Sequence, residues 1–173
     1  SCEATPAAAH RICREAPGEV QASDAVRDLA AAFVAMQAPT SENTEQPPKR
    51  KHDSRRHQVA GYHFAMQRDA AMLAHEMGAG KSKVAVDLIQ NRDCRAVLII
   101  CPVSVRGVWR REFAKWAVED YAVIVLETGT VARKIATARV AMAGCEARGE
   151  RFVIVTNYET ARDKAFQKLV AER

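Results

Sequence analysis

The segment His75-Glu76-Met77-Gly78-Ala79-Gly80-Lys81-Ser82 brings two glycines, an ammonium and a hydroxyl into one short stretch. That set suits a polyphosphate. Gly78 and Gly80 can take left-handed backbone angles that point successive amides at phosphate oxygens, where a side chain would obstruct the approach. Lys81 is placed to bridge the β- and γ-phosphates, and the Ser82 hydroxyl is a ligand for the Mg²⁺ that neutralises charge in phosphoryl transfer. The general phosphate-loop pattern starts with a small residue about five positions before its second glycine, and His75 stands there instead. Taken alone, the residues also fit a glycine-rich turn that caps an ordinary helix.

The usual setting of such a loop is between a strand and a helix, and the pattern of the chain around it predicts that setting. Short apolar runs alternate with amphipathic stretches, which predicts an α/β fold with a mostly parallel sheet flanked by helices. Strands are expected over Ala70 to Ala74, Ala96 to Cys101, Ala122 to Leu126 and Phe152 to Val155. Helices are expected over Lys81 to Gln90, Ser104 to Trp116, Val131 to Arg148 and Glu159 to Ala171. A helix starting at Lys81 adds the positive end of its dipole and unpaired amides to the phosphate site. Before this unit, Val26, Leu29, Ala30, Phe33 and Met36 fall at helical spacing behind a cap at Ser23. A polar stretch from Ala38 to Arg56 then ends in the run Lys49, Arg50, Lys51, His52, Arg55, Arg56 and reads as a linker or disordered join. The expected organisation is therefore a helical segment over 1–37, a basic polar linker over 38–56 and the α/β unit over 57–173.

Three further segments stand around the loop. Arg56-His57-Gln58-Val59-Ala60-Gly61-Tyr62 precedes it. Val97 to Ser104, followed by Trp109-Arg110-Arg111-Glu112-Phe113-Ala114-Lys115-Trp116, comes after it, and then Val153-Ile154-Val155-Thr156-Asn157-Tyr158-Glu159. With the loop, these resemble the superfamily-two helicases, most closely the Swi/Snf-like ATP-dependent DNA translocases, over Arg56 to Arg162. The loop of that family commonly reads Asp-Glu-Met-Gly-Leu-Gly-Lys-Thr and also lacks the first glycine, so His75 replaces its aspartate while Glu76, Met77 and both glycines match.

The resemblance implies a RecA-like ATP-binding lobe that uses ATP and Mg²⁺, with Glu76, Met77, Gly78, Ala79, Gly80, Lys81 and Ser82 as the nucleotide loop. It makes Gln58 the reader of the adenine edge, which a carboxamide matches with one donor and one acceptor. On local grounds alone, Gln58 fits better on the exposed polar face of a helix that buries Val59, Tyr62 and Met66, and only its pairing with the loop reverses that choice. The resemblance further implies nucleic-acid contacts at Ser104, Arg106, Thr156 and Asn157. Ser104, Thr156 and Asn157 also suit turns and helix caps. Trp109, Phe113 and Trp116 read as a core stripe rather than as base-stacking residues.

The chain has 173 residues, 48% hydrophobic and 27% charged, and a formal net charge of +5. No apolar run is long enough to span a bilayer, no secretory leader opens the chain, and the charge suits a polyanion. Five scattered cysteines point to reduced thiols and a cytoplasmic setting, nucleoid-associated or nuclear if the parent protein acts on chromosomal DNA. Cys2, His10 and Cys13 fit no zinc spacing. DNA, double-stranded by expectation, is the implied partner, with RNA left open.

In the resembling family an Asp-Glu pair follows a later strand and a second lobe supplies arginines. Here the adjacent acidic pair is Glu119-Asp120, in reversed order and before a strand, so the expectation is a piece that binds ATP and does not turn it over. Two other readings fit: a nucleotide-gated nucleic-acid clamp without hydrolysis that uses the Lys49 to Arg56 run, and another phosphate-loop transferase.

Overall fold

The computed structural model describes residues 43–172. The helix expected over Ser23 to Gln37 and the residues Cys2, His10 and Cys13 lie outside the described residues.

Three strands, β1 (Ala96–Ile100), β2 (Tyr121–Val125) and β3 (Arg151–Thr156), form a parallel sheet in the order β1-β3-β2. Five of the six residues of β3 are buried, as befits a middle strand covered on both faces. Its side chains alternate between two cores. Phe152 and Ile154 join Leu126, Met142 and Phe166 on one face, while Val153 and Val155 join Val86, Phe113 and Val125 on the other. This period of two places the helices on opposite sides of the sheet.

The first core is closed by α4 (Val131–Ala147) and α6 (Lys164–Ala171), the second by α2 (Lys81–Asn91) and α3 (Val108–Trp116). The remaining helices are α1 (Arg56–Met66), which packs against α2, and the short α5 (Tyr158–Arg162).

The strand expected over Ala70 to Ala74 is absent. Ala70, Ala71 and Ala74 are exposed and have low strand preference, and no sheet neighbour pairs with them. Ala71 and Leu73 instead line a hollow with Ala65, Ala85 and Leu88, alongside α1 and α2.

Two expected helices are each divided. Over 104–116, a 3₁₀ turn (Val103–Val105) comes first and α3 begins at Val108, because Arg106 is turned inward and its guanidinium donates to the carbonyls of Leu126 and Val103. Over 159–171, Asp163 adopts an extended ψ of 128° and its carboxylate accepts from the amides of Ala165 and Phe166, so it ends α5 and caps α6.

Residues 43–55 form no regular element but are tied to the α/β unit. The Lys49 amide donates to Asn91 Oδ1 at 2.9 Å, and its carbonyl accepts from Gln90 Nε2 and Asn91 Nδ2. Lys51 Nζ donates to the Ala114 carbonyl. Lys49 also enters a ring of alternating charge with Asp93, Arg151 and Glu119, closed by contacts of 2.6 to 3.4 Å. Among the described residues, no helix is long and apolar enough to cross a membrane.

Candidate functional site

The glycine-rich turn enters α2 through two left-handed residues, Gly78 at φ 79° and Gly80 at φ 82°. They are not equivalent. A Cβ on Gly78 would meet nothing within 4 Å, whereas one on Gly80 would come 2.3 Å from Gln58 Nε2. The closeness at Gly80 has a purpose: Gln58 Nε2 donates to the Ala79 carbonyl at 3.0 Å, and His57 Nε2 approaches the same oxygen at 2.9 Å.

Gln58 is thus buried at 8% exposure, not on the polar face of its helix. Its Oε1 accepts from the Arg55 amide at 2.9 Å. One N–H and one oxygen lone pair of the carboxamide are left over.

Lys81 lies along the turn, and its ammonium donates to the carbonyls of His75 (2.8 Å) and Glu76 (2.9 Å), leaving one N–H. No described acceptor takes the amides of Gly78, Gly80, Lys81 and Ser82, and Gly80 at the N-cap has no side chain to supply one. Unsatisfied amides at the start of a helix, with open space over Gly78, make a cradle that fits an anionic group.

His75, in the position where the resembling family has aspartate, is packed into the fold. Its ring meets that of His57 edge to face at a centroid distance of 5.7 Å. A Cβ on Gly61 would come within 2.9 Å of His75 Cε1, so Gly61 is required for this approach. His75 Nδ1 is buried without a hydrogen-bond partner.

The turn opens into a cleft of about 510 Å³ whose walls also include Gln58, Arg55, Glu112, Lys115 and Trp116. Beneath it lies a buried ion pair, Lys83 Nζ to Asp87 Oδ2 at 2.6 Å, with Ser54 Oγ 2.5 Å from the same ammonium. Burial pushes the Asp87 carboxyl above the usual carboxylate range, and the hydrogen bond from Lys83 pulls it back.

The residues expected to face nucleic acid lie elsewhere and are not alike. Ser104 is exposed in the 3₁₀ turn and occupies no cap position. Arg106 is 6% exposed, and its guanidinium serves the carbonyls of Val103 and Leu126 rather than solvent. Thr156 is fully buried with no partner for its hydroxyl. Asn157 is buried in a network in which its Oδ1 accepts from Thr160 Oγ1 at 2.8 Å and from Lys134 at 3.4 Å. Lys134 belongs to this cluster and was missed by reading the sequence, since its place in α4 gave no local signal.

The structure therefore defines an α/β unit with a glycine-rich turn feeding a helix beside a buried glutamine. A family model described as the SNF2-related domain matches residues 57–170. The chain belongs to that family, the Swi/Snf-like ATPases of superfamily-two helicase type. No curated protein matches it.

Proposed function

We propose that this chain is the ATP-binding, RecA-like lobe of an ATP-dependent motor that moves on DNA. The observation that supports this most is the hydrogen bond from Gln58 to Ala79, which ties a carboxamide able to read adenine to the turn able to hold phosphates. The free N–H and lone pair of Gln58 match the donor and acceptor of an adenine edge, and guanine presents the opposite pattern.

In this reading the amides of Gly78, Gly80, Lys81 and Ser82 bind the polyphosphate. Lys81 turns its ammonium from the loop carbonyls toward the β- and γ-phosphates, and the Ser82 hydroxyl holds Mg²⁺. When bound, the metal neutralises charge on the phosphates. Ser104 and Asn157 are the proposed contacts to the nucleic-acid backbone, with Thr156 and Arg106 shaping the segments that carry them. Hydrolysis requires an in-line water and further charged groups, and the Glu119-Asp120 pair precedes β2, far from that role.

Titration calorimetry on the 173-residue chain tests the reading. Mg-ATP is expected to bind, Lys81→Ala to abolish the heat, and Gln58→Ala to erase the preference for ATP over GTP. Binding that survives Lys81→Ala unchanged would remove the phosphate loop from the mechanism.

A further inference from the structure

Trp116 ends α3 and, from the spacing of its neighbours, belongs to a core stripe. Phe113 fulfils that role at 3% exposure, but Trp116 is only partly buried. Part of its indole packs against the core that contains Phe113 and Val86, and part lines the cleft into which Gly80, Lys81 and Ser82 open. Among the described residues it is the aromatic side chain on that cleft, set among Arg55, Gln58, Glu112 and Lys115.

The ring is held in place. Its Nε1 donates to Glu112 Oε2 at 3.0 Å, one helical turn back, and His52 meets it edge to face at 5.8 Å. Lys115 Nζ lies 4.4 Å from the ring centroid and the buried Lys83 Nζ 5.6 Å from it. A large π surface fixed at the wall of a polar cleft, with its polar atom already satisfied, is suited to receive a flat heteroaromatic group.

We propose that Trp116 is the wall on which the nucleotide's purine ring lies, so that Gln58 reads the edge of the base while the indole takes its face. This rests on the nucleotide-binding reading of the cleft and adds to it a residue that positions the base. The exposed Lys115 is the group a base displaces. An exposed cation–π contact with the ring is weaker than an aromatic ring stacked on a base, so the exchange favours the base.

The chain has two tryptophans, so Trp109→Phe leaves Trp116 as the sole indole reporter. In that variant Mg-ATP is expected to quench the emission and inorganic tripolyphosphate to leave it nearly unchanged. Trp116→Ala should weaken ATP binding by about 5- to 150-fold, the equivalent of about 1–3 kcal/mol, while tripolyphosphate affinity stays within about twofold. Trp116→Phe should recover most of the ATP affinity, and Trp116→Leu, which keeps apolar volume for the core, should not.

Equal losses for ATP and tripolyphosphate in the Leu and Ala variants, or no loss in either, would overturn the role of Trp116. If tripolyphosphate itself fails to bind the unaltered chain, the phosphate-loop reading falls first and takes this one with it.

Discussion

Replacing Gly80 by alanine isolates the contact that joins the glutamine to the turn. Two effects combine at this position. The left-handed φ of 82° costs an L residue about 1–2 kcal/mol. In addition, the new methyl would lie 2.3 Å from Gln58 Nε2, so the carboxamide must swing away and give up its bond to Ala79. A neutral hydrogen bond contributes about 0.5–1.5 kcal/mol, and the polar groups left behind are largely buried.

Gly80→Ala should therefore destabilise by about 1.5–3.5 kcal/mol, the sum of the two effects. Gly78→Ala is the internal control: its φ of 79° carries the same conformational cost, but nothing lies within 4 Å of the added methyl. Urea unfolding should separate the two variants by about 1 kcal/mol, and the gap should close when Gln58→Ala is added to both, because the contact no longer exists. ATP affinity should fall more in Gly80→Ala than in Gly78→Ala. Equal losses for the two glycine variants in the wild-type background would refute the link between Gln58 and the turn.

Other consequences follow from the same geometry. Lys83→Met leaves Asp87 buried without its cation and should destabilise by about 3–5 kcal/mol in urea unfolding, whereas Lys83→Met with Asp87→Leu should recover much of that loss. The guanidinium of Arg151, first, and then Lys49 hold the Asp93 carboxyl below the usual range. A carboxylate with a lowered folded value adds stability above about pH 4 and loses it as pH falls through that lower value, so Asp93→Asn should flatten the acid limb of the stability curve. Arg106→Ala strands the Leu126 carbonyl and should cost about 1–3 kcal/mol by the same unfolding assay. Because the Arg106 guanidinium serves the Leu126 and Val103 carbonyls, Arg106→Lys should leave the salt slope of any DNA binding by this chain unchanged.

Reading the residues in order determined the elements that rest on local pattern. Short apolar runs at 96–100, 121–125 and 151–156, separated by amphipathic stretches, predict strands of a parallel sheet, and those three strands stand within a residue of their expected bounds. Gly78, Gly80 and Lys81 announced the turn, because left-handed backbone and a following helix are local requirements. Ala70 to Ala74 failed as a strand for the converse reason: a strand is decided by its neighbours in the ladder, and none pairs with this segment.

What lies far apart in sequence had to wait for the tertiary structure. Gln58 and Ala79 are 21 residues apart, and only the packing of α1 on α2 turned a plausible surface glutamine into a buried partner of the turn. Within the basic run that reads as a linker, Lys49 and Lys51 find acceptors on Asn91, Asp93, Ala114 and Glu119, which the sequence does not announce because complementary charge has no sequence period. Helical periodicity gave Trp116 an apolar face, and the arrangement of α2, α3 and the loop before α1 decided that part of that face lines a cleft rather than the core. Periodicity records which side of an element is apolar. The partner that covers that side is chosen by long-range packing, which no window of neighbouring residues contains.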